Sequence, residues 1–439
     1  MPGYRAGGTI AWRQGRAVAH ETFLAQVEQL AATLPDAPRL INLCQDRYLF
    51  MLSLCAALRR GHSTLLPPNR LAATIRAIAA DHPGCMTLAD EPLEDLGLPH
   101  VAISEPLVAP GRPVPAGSPL ISDRPDGIVA FTSGSTGTSQ PNLKRWSDQM
   151  RCSAAAMARF GIGEATGMVA TVPPQHMFGL ELSVLIPMAS GAAAHAGRPF
   201  FPDDIRAALA ETPPPRVLVT TPVHLAACVK SDLDWPAIDF VISATAPLSE
   251  ALAHAVETRL STRVFEIYGC TEAGSVASRR TCEGPLWRWY DGVVPQVRED
   301  GVALTADFLP GEIPLNDRIE PEPDGRFRLL GRGSDLVNVA GKRASLMDLT
   351  LKLNAIPGVR EGVILAPDGR DDTSARLAAV VVAPGLDRAT LIARLRERMD
   401  PVFIPRPIVF VDALPRNDVG KTPRQWLLQL LDRARETNT

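Results

Sequence analysis

The residues most suited to chemistry form a short polar run after an apolar segment. Residues 127–131 are apolar, and Thr132 to Thr138 are built only from Thr, Ser and Gly. Gly134 and Gly137 let the backbone approach a ligand closely, and N–H groups and hydroxyls in such a loop can point at anionic oxygens. The run predicts a phosphate-binding loop, with a solvated linker as the alternative. It is not the P-loop of NTPases, because no Gly-Lys-Ser/Thr closes it.

Four other polar segments follow apolar runs, where strands are predicted to end and where α/β proteins place their sites. They are Pro173-Pro-Gln-His-Met-Phe-Gly179, Ser243-Ala-Thr-Ala246, Tyr268-Gly-Cys-Thr-Glu272 and Pro314-Leu-Asn-Asp317. Glu272 beside Thr271 can bind Mg²⁺ that carries a nucleotide phosphate, and Asp317 can accept hydrogen bonds from ribose hydroxyls. His176 can line a pocket. Taken singly, each segment is equally compatible with a structural role.

A lysine near the C-terminus also stands out. Gly420-Lys421 lies between Pro415 and Pro423, so the side chain is presented on a loop rather than solvated along a helix. A lysine is a compact, rotatable point charge, suited to negative charge that develops on a phosphate.

Helices and strands alternate along the segments that hold these residues. The predicted strands are 39–44, 63–66, 127–131, 167–171, 216–220, 239–243 and 263–267. The predicted helices include 20–34, 47–60, 203–211, 249–260 and one capped by Asn69, with Leu71, Ile75 and Ile78 facing inward. This alternation predicts an α/β fold, with a large N-terminal domain of mainly parallel sheets and flanking helices.

The order of predicted helices and strands changes after residue 331. A helix (345–354), two strands (359–366 and 377–383), a helix (387–399) and a strand (408–411) predict a small α+β domain. We therefore expect an N-terminal domain over 1–331 and a small domain over 338–439, joined through residues 332–337. The small domain contains 16 Lys/Arg and 12 Asp/Glu, in a chain with a net charge of −3. Its basic character favours an acidic partner, although chance variation explains it equally well.

Composition excludes several classes of protein. The net charge of −3 is too small to indicate nucleic acid or a membrane surface. Seven scattered cysteines include no C-x-x-C pair, so neither a zinc site nor a disulfide framework is predicted. The segment after Met1 is not the apolar core of a signal peptide, and the most apolar stretch, 168–196, is interrupted by prolines, His176 and Glu181. We expect a cytoplasmic protein without a membrane span.

In their order along the chain, these motifs resemble those of the adenylate-forming superfamily. That superfamily includes acyl-CoA synthetases, aryl-CoA ligases, luciferases and the adenylation domains of peptide synthetases. Thr132 to Gly137 matches its phosphate loop, and Tyr268 to Glu272 matches its Tyr-Gly-x-Thr-Glu motif. Gly331-Arg332 with Val337 to Gly341 matches its hinge region, and Pro415 to Lys421 matches its C-terminal lysine loop.

The resemblance implies a two-step reaction that uses ATP and Mg²⁺. A carboxylate attacks the α-phosphate of ATP and releases pyrophosphate, and a thiol then attacks the acyl-adenylate to give a thioester and AMP. The catalytic residues it implies are Lys421, Glu272 (also the Mg²⁺ ligand) and Thr271. For phosphate binding it implies Thr132, Ser133, Gly134, Ser135, Thr136, Gly137 and Lys144. For adenine and ribose it implies Ala244, Thr245, Ala246, Tyr268, Gly269, Asp317 and Arg332. His176, Phe178, Thr220 and Ser243 would line the acid pocket, and Ser334 and Asp335 would form the hinge.

Two departures from the family pattern are visible. The phosphate loop of the family usually ends in Gly-x-Pro-Lys-Gly, whereas here the lysine is displaced to Lys144. The hinge acid usually follows Gly-Arg-x directly, whereas Ser334 occupies that place and Asp335 comes next. Cys270 lies inside the Tyr-Gly-x-Thr-Glu motif, but the family uses an external thiol, which argues against a nucleophilic role.

A narrower resemblance concerns compact ligases of bacterial aryl-polyene and xanthomonadin-type pigment pathways. It rests on Lys144-Arg-Trp146 after the loop and on Pro173 to Glu181. It implies that an aryl acid such as a hydroxybenzoate is loaded onto an acyl carrier protein, with CoA as the other possible acceptor. The alternatives are a fatty acyl-CoA or acyl-carrier ligase and a non-catalytic nucleotide-binding relative.

Overall fold

A computed structural model describes residues 2–103, 121–133, 139–298, 301–332, 336–339, 342–366, 377–417 and 422–436. It shows the predicted fold class, with a large N-terminal part built on parallel sheets and a smaller C-terminal part. Among these residues, no helix combines the length and apolar character that a membrane span requires.

The strands are numbered along the chain. Those of the N-terminal part are β1 (Thr9–Arg13), β2 (Arg16–Ala19), β3 (Arg39–Asn42), β4 (Ser63–Leu66), β5 (Met86–Ala89), β6 (His100–Ala102), β7 (Ile128–Ser133), β8 (Ser139–Lys144), β9 (Gly167–Ala170), β10 (Ala193–His195), β11 (Arg216–Thr220), β12 (Phe240–Ser243), β13 (Arg263–Cys270), β14 (Gly274–Arg280), β15 (Leu286–Trp289), β16 (Val294–Arg298), β17 (Gly301–Thr305), β18 (Ile313–Leu315), β19 (Asp317–Pro321) and β20 (Phe327–Arg332). Those that follow are β21 (Leu336–Val339), β22 (Lys342–Ser345), β23 (Glu361–Leu365), β24 (Ala378–Val382) and β25 (Ile408–Phe410).

The helices are numbered in the same way. They are α1 (His20–Thr33), α2 (Arg47–Arg59), α3 (Ala72–Asp81), α4 (Trp146–Phe160), α5 (Met177–Leu180), α6 (Ile186–Ser190), α7 (Pro202–Glu211), α8 (Pro222–Lys230), α9 (Glu250–Leu260), α10 (Leu346–Asn354), α11 (Arg388–Arg396) and α12 (Arg424–Glu436). A π-helical turn, Glu181–Leu185, joins α5 to α6.

The larger sheet has eleven strands, and its centre is the parallel run β13-β12-β11-β9-β10-β1. Its strands are apolar at consecutive positions, as expected for a sheet that is covered on both faces. One face packs against α7, α8 and α9 through Leu218, Val241 and their neighbours. The other packs against α4 and the α5–α6 segment through Val219 and Ile242. Strands β14, β15, β20 and β19 extend this sheet with antiparallel pairing.

The second sheet has the order β6-β5-β3-β4-β7-β8. It is parallel except for the β7–β8 hairpin, in which Ile128 pairs with Lys144 and Ser133 pairs with Ser139. The paired strands β7 and β8 therefore flank the candidate phosphate loop, and residues 134–138 lie outside the described residues. The sequence predicted strand β7 but not its partner β8.

The C-terminal part has the predicted order of elements. Strand β24 lies between β23 and β25, and a core that includes Leu349, Ile364 and Leu391 joins these strands to α10 and α11. Helix α12 packs on the other side of β24 through Leu427 and Leu431.

One predicted set of inward-facing residues needs correction. Ile75 and Ile78 of α3 are buried, but Leu71 is 65% exposed. Asn69 accepts a hydrogen bond from the Leu71 N–H, and α3 begins only at Ala72, so Leu71 is the residue before the helix. Its side chain lies outside the helical stripe for that reason.

Candidate active site

The predicted site segments meet at one edge of the larger sheet. Thr220 pairs with Ser243, and Ser243 pairs with Glu266 two residues before Tyr268, so β11, β12 and β13 end side by side. The segment from Pro173 to His176 follows β9, the next strand in the sheet. Parallel strands that end together form the crevice in which α/β proteins bind ligands.

Tyr268 and Asp317 are brought together by a direct hydrogen bond. The Tyr268 hydroxyl donates to Asp317 Oδ2 at 2.8 Å, and the Tyr268 ring packs edge-on against Trp287 and Phe327. Asp317 begins β19 and pairs across the sheet with Arg332 of β20. Three residues predicted for the nucleotide site are thus adjacent in the fold.

The turn after β12 carries backbone strain. Thr245 has a φ of +76°, a left-handed conformation that is unfavourable for a β-branched residue. Its hydroxyl is buried without a hydrogen-bond partner in the described part of the chain. Ala244, the residue before it, packs with the apolar cluster that holds Tyr268 and Phe178. Strain of this kind concentrates at ligand sites, which agrees with the adenine role predicted for residues 244–246.

Glu272 lies at the tip of the β13–β14 hairpin and is exposed to solvent. The hairpin closes tightly because Gly269 has no side chain: a Cβ there would lie 2.1 Å from the Gly274 carbonyl oxygen. The described residues contain no group of three or more His, Cys, Asp and Glu side chains that could cage a metal. A single exposed carboxylate fits Mg²⁺, which is commonly held by one or two carboxylates together with substrate phosphates.

Lys144 occupies a place that differs from the predicted one. It lies at the end of β8 farthest from the phosphate loop, is only 6% exposed, and donates from Nζ to the backbone carbonyl of Glu272 at 2.6 Å. Burial lowers the pKa of its ammonium, and nearby groups, including Glu272 and Glu181, oppose that effect. The displaced lysine is thus a buried contact of the Glu272 hairpin, and its role as a phosphate ligand stays a prediction.

The buried carboxylate of Glu181 binds the last residue of the turn 272–275, whose first residue is Glu272. Glu181 Oε2 accepts from the Ser275 N–H at 2.9 Å, and Oε1 accepts from the Ser275 hydroxyl. The Cys152 thiol lies 3.9 Å from Glu181 Oε1 and 3.8 Å from the Ala273 carbonyl. Burial raises the pKa of Glu181, whereas the two Ser275 hydrogen bonds lower it.

The sequence did not predict a role for Glu181. The available signal was a single carboxylate inside an otherwise apolar stretch, because such a group needs a partner when it is buried.

Phe178 and His176 lie where the helical segment after β9 begins. Phe178 is 7% exposed and packs in the cluster that contains Val219, Ile242 and Tyr268. His176 is the N-cap of α5, and its Nδ1 accepts from the Phe178 N–H at 3.3 Å. Phe178 and Tyr268 are thus two buried aromatic side chains in the core beside the ends of β11, β12 and β13.

Thr220 and Ser243 are placed differently from their predicted role in the acid pocket. The Thr220 hydroxyl bonds to that of Thr171 at 2.9 Å, and Thr171 in turn contacts His224 of α8. Ser243 pairs with Thr220, so both side chains face α8 and α9 rather than Phe178. Side chains alternate between faces along a strand, and the neighbouring residues Val219 and Ile242 therefore face Phe178 instead.

Arg47 is a second residue whose importance the sequence did not reveal. It is fully buried at the start of α2, and all its side-chain N–H groups meet oxygen acceptors. The five hydrogen bonds go to the Ser183 hydroxyl (2.8 Å) and to the carbonyls of His195 (3.1 Å), Gly197 (2.8 Å), Ala170 (3.2 Å) and Val172 (2.8 Å). Arg47 thus joins α2 to the ends of β9 and β10 and to the π-helical turn, directly before the His176 segment.

Several predicted residues lie outside the described part of the chain. These are Gly134, Ser135, Thr136, Gly137, Ser334, Asp335 and Lys421. Thr132 and Ser133 belong to β7 and Arg332 belongs to β20 by their backbones. Cys270 is partly buried, and burial raises the pKa of its thiol to about 11. Very little thiolate exists at neutral pH, which agrees with the expectation that Cys270 is not a nucleophile.

The comparisons with known proteins agree with this geometry. The sequence matches the family described as AMP-binding enzyme over residues 122–297. It also matches the family described as AMP-binding enzyme C-terminal domain over residues 352–421. A 4-coumarate–CoA ligase of Rhodobacter capsulatus is 32% identical over 305 residues, a match that covers 68% of this chain and 75% of the relative. The chain therefore belongs to the AMP-binding enzyme family. It is an AMP-forming acid–thiol ligase.

Solved structures show the same fold. The anthranilate CoA ligase AuaEII in complex with anthranoyl-AMP superposes with a TM-score of 0.82 at 18% identity, over 98% of this chain and 96% of that one. ATP-bound MatB from Rhodopseudomonas palustris gives a TM-score of 0.81 at 19% identity, over 96% and 95% of the two chains. The fold class predicted from the alternating elements and the superfamily recognised from the motifs are both confirmed.

Proposed function

We propose that this enzyme uses ATP and Mg²⁺ to adenylate an aryl carboxylic acid of the hydroxybenzoate type and transfers the acyl group to the phosphopantetheine thiol of an acyl carrier protein. The observation that carries the proposal is the arrangement at one sheet edge. The Tyr268–Asp317 pair, the exposed Glu272 hairpin and the aromatic cluster around Phe178 lie at the ends of adjacent strands. Nucleotide, metal and acid would then meet at a single crevice.

In the first step, a carboxylate oxygen of the acid attacks the α-phosphorus of ATP, and the bond to the pyrophosphate oxygen breaks. Asp317 would accept hydrogen bonds from the ribose, held in place by the Tyr268 hydroxyl and assisted by Arg332. The turn at Ala244, Thr245 and Ala246, with Gly269, would contact adenine. Thr271 and the loop residues 132–137 would bind the phosphates.

Glu272 would hold Mg²⁺, which when bound offsets the negative charge of the phosphates. Lys421 would stabilise the charge that develops between the carboxylate and the α-phosphate. We also propose that residues 332–337, including Ser334 and Asp335, form a hinge between an N-terminal domain (1–331) and a small domain (338–439). A movement there would remove Lys421 after adenylation and admit the thiol.

The acid is proposed to be aromatic because of the residues around Phe178. Phe178, Val219, Ile242 and Tyr268 form an apolar cluster with two aromatic rings, which suits the flat body of an aryl acid. The 32% identical relative is a 4-coumarate–CoA ligase, so an aryl acid substrate has precedent in the family. His176 lies two residues before Phe178, as the N-cap of α5.

The acceptor is proposed to be an acidic carrier protein because of the charge of the C-terminal region. Residues 338–439 contain 16 Lys/Arg against 12 Asp/Glu, although the whole chain is acidic. Opposite charges on two partners accelerate their encounter and disfavour incorrect partners. CoA is the competing acceptor, and the same assay can compare the two.

Hydroxylamine trapping over a library of carboxylic acids tests the proposed substrate. We expect hydroxamate from hydroxybenzoates, and a hydroxybenzoate should compete effectively with a medium-chain fatty acid. Thioester formation should then favour a holo carrier protein over CoA. A preference for the fatty acid would overturn the aryl assignment, and a preference for CoA would overturn the carrier assignment.

A substitution tests the nucleotide role of Asp317. We expect Asp317→Asn to raise the Kd for AMP about 10- to 100-fold, because charge-assisted hydrogen bonds are worth about 1.5–3 kcal/mol. Tyr268→Phe should have a smaller effect, since it removes only the donor that orients Asp317. Isothermal titration calorimetry measures both. Asp324→Asn, at an exposed carboxylate paired with Arg326, is the control, and an equal loss in this variant would contradict the assignment.

A further inference from the structure

Two hairpins from different sheets carry the two halves of the proposed phosphate site. Strands β7 and β8 come directly before and after the undescribed residues 134–138, and the β13–β14 hairpin holds Glu272 at its tip. Binding of a magnesium–nucleotide complex requires both halves at a fixed separation, because Mg²⁺ tolerates little departure from its preferred geometry. The contacts that join the two hairpins therefore matter for binding.

Lys144 makes a direct contact between them. It ends β8, and its Nζ donates to the Glu272 carbonyl at 2.6 Å. An ammonium group has three donors and no acceptor, and the Lys144 side chain that carries this one is buried. A charge buried this deeply is costly unless it is hydrogen-bonded and balanced by an opposite charge.

A second ionisable side chain, Glu181, is buried at the other end of the same turn. Its carboxylate accepts from the Ser275 N–H and hydroxyl, and it is 3% exposed. Lys144 and Glu181 therefore bind residues three positions apart in one turn, Glu272 and Ser275. The Lys144 ammonium thus donates to the Glu272 carbonyl at the start of the segment 272–275, and the Glu181 carboxylate accepts from the Ser275 N–H at its end. Each backbone group therefore faces a side chain of complementary polarity.

The segment between the two contacts has little freedom. Gly274 adopts a φ of +78°, and a Cβ at that position would lie 2.8 Å from Cys152 Sγ. The Cys152 thiol also lies 3.8 Å from the Ala273 carbonyl. With Lys144 and Glu181 at its ends and Cys152 beneath it, the backbone that carries the Glu272 carboxylate is fixed from three sides.

We propose that Lys144 and Glu181 are positioning residues that fix the 272–275 turn, and with it the Glu272 carboxylate, for binding of magnesium–ATP. This inference rests on the proposed role of Glu272 as the magnesium ligand. It gives the displaced lysine a function that differs from phosphate binding: Lys144 acts through the Glu272 backbone.

The test measures ATP binding by calorimetry as the Mg²⁺ concentration is varied, without any acid substrate. We expect the Lys144→Met/Glu181→Gln double variant to need at least about tenfold more Mg²⁺ for half-maximal ATP binding. Its binding of ATP without Mg²⁺ should equal that of the wild type. Because both buried charges are removed together, its thermal unfolding midpoint should stay close to that of the wild type. The single variants should be less stable, since each leaves one buried charge unbalanced.

The control is Lys230→Met, at an exposed lysine at the end of α8, which should leave the Mg²⁺ dependence unchanged. An unaltered Mg²⁺ dependence in a folded double variant would overturn the inference. An equal loss of ATP affinity at every Mg²⁺ concentration would also overturn it, because that result indicates a direct phosphate ligand. If Glu272→Gln leaves the Mg²⁺ dependence of the wild type unchanged, the proposed role of Glu272 fails, and the inference fails with it.

Discussion

Replacing Arg47 by methionine is expected to lower the free energy of unfolding by about 3 kcal/mol or more. Arg47 is fully buried, and its five N–H donors satisfy four backbone carbonyls and one hydroxyl. Methionine has a similar length but no donor, so these acceptors would lose their partner at a fully buried position. Each buried polar group left unsatisfied costs about 1–3 kcal/mol.

The charge state of Arg47 strengthens this expectation. Burial lowers the pKa of Arg47 to about 10, with a small opposing contribution from Asp46, so the group remains a cation at neutral pH. Its charge is dispersed over carbonyl dipoles from β9, β10 and the segment after β10. The loss should extend to function, because the Val172 carbonyl precedes the segment that carries His176 and Phe178.

Thermal and denaturant unfolding of the Arg47→Met variant measure the effect. Arg59→Met is a matched control in the same helix: Arg59 pairs with Glu28 at the surface, and such pairs contribute about 0–1 kcal/mol. Similar losses in the two variants would show that the five buried hydrogen bonds add little stability. Arg47→Lys should fall between the wild type and Arg47→Met, since an ammonium offers three donors instead of five.

Replacing Lys421 by alanine is expected to reduce carboxylate-dependent ATP–pyrophosphate exchange by about 10²- to 10³-fold. Loss of one group that stabilises transition-state charge typically has this size. Lys421 lies outside the described residues, and the expectation rests on the loop Pro415 to Lys421 and its resemblance to the lysine loop of the family. ATP should still bind, because the proposed nucleotide contacts belong to the N-terminal domain.

The Lys421→Ala variant should therefore lose exchange activity while it still binds ATP. The control is Lys352→Ala, at a partly exposed lysine of α10 that pairs with Asp348 four residues earlier. It should retain full exchange. If Lys421→Ala also retained full exchange, the proposed role of this lysine in adenylation would be wrong. If it lost ATP binding in parallel with exchange, the lysine would act in binding and not in the chemical step.

The sequence was sufficient to predict the fold class and most of the helices and strands. Apolar runs such as 216–220 and 239–243 are typical of strands in a parallel sheet that is covered on both faces, and the strands they form are buried. The resemblance of the motifs to those of the adenylate-forming superfamily assigns Tyr268 to Glu272 and Asp317 to one site, and the Tyr268–Asp317 hydrogen bond places two of these residues in contact. Local patterns and short motifs carry this information directly.

The buried polar contacts could not be predicted, because they join residues far apart in the chain. Lys144 and Glu272 are 128 positions apart, and Arg47 and Ser183 are 136 apart. In the sequence, Lys144 resembles a displaced loop residue, and only the β7–β8 pairing shows that it ends a strand against another hairpin.

The sheet face that Thr220 and Ser243 take could not be predicted for a simpler reason. The sequence correctly placed them at strand ends, but which face a side chain takes depends on register, and a shift of one residue reverses it.

The geometry of Lys144 and Glu181 also changes how the displaced loop lysine is understood. A phosphate loop without its usual lysine could indicate loss of activity. Here the lysine is used to support the proposed metal-binding hairpin, with Glu181 bound to Ser275 at the other end of the same turn. The enzyme would then depend more on Mg²⁺ and on the loop backbone for phosphate binding than relatives that retain the loop lysine.

Carboxylate-dependent ATP–pyrophosphate exchange by the wild-type protein is the most direct test of the central claim. We expect exchange that requires both Mg²⁺ and an added acid, with hydroxybenzoates among the best substrates. Tight ATP binding without exchange, across a broad panel of aryl and fatty acids, would contradict the account.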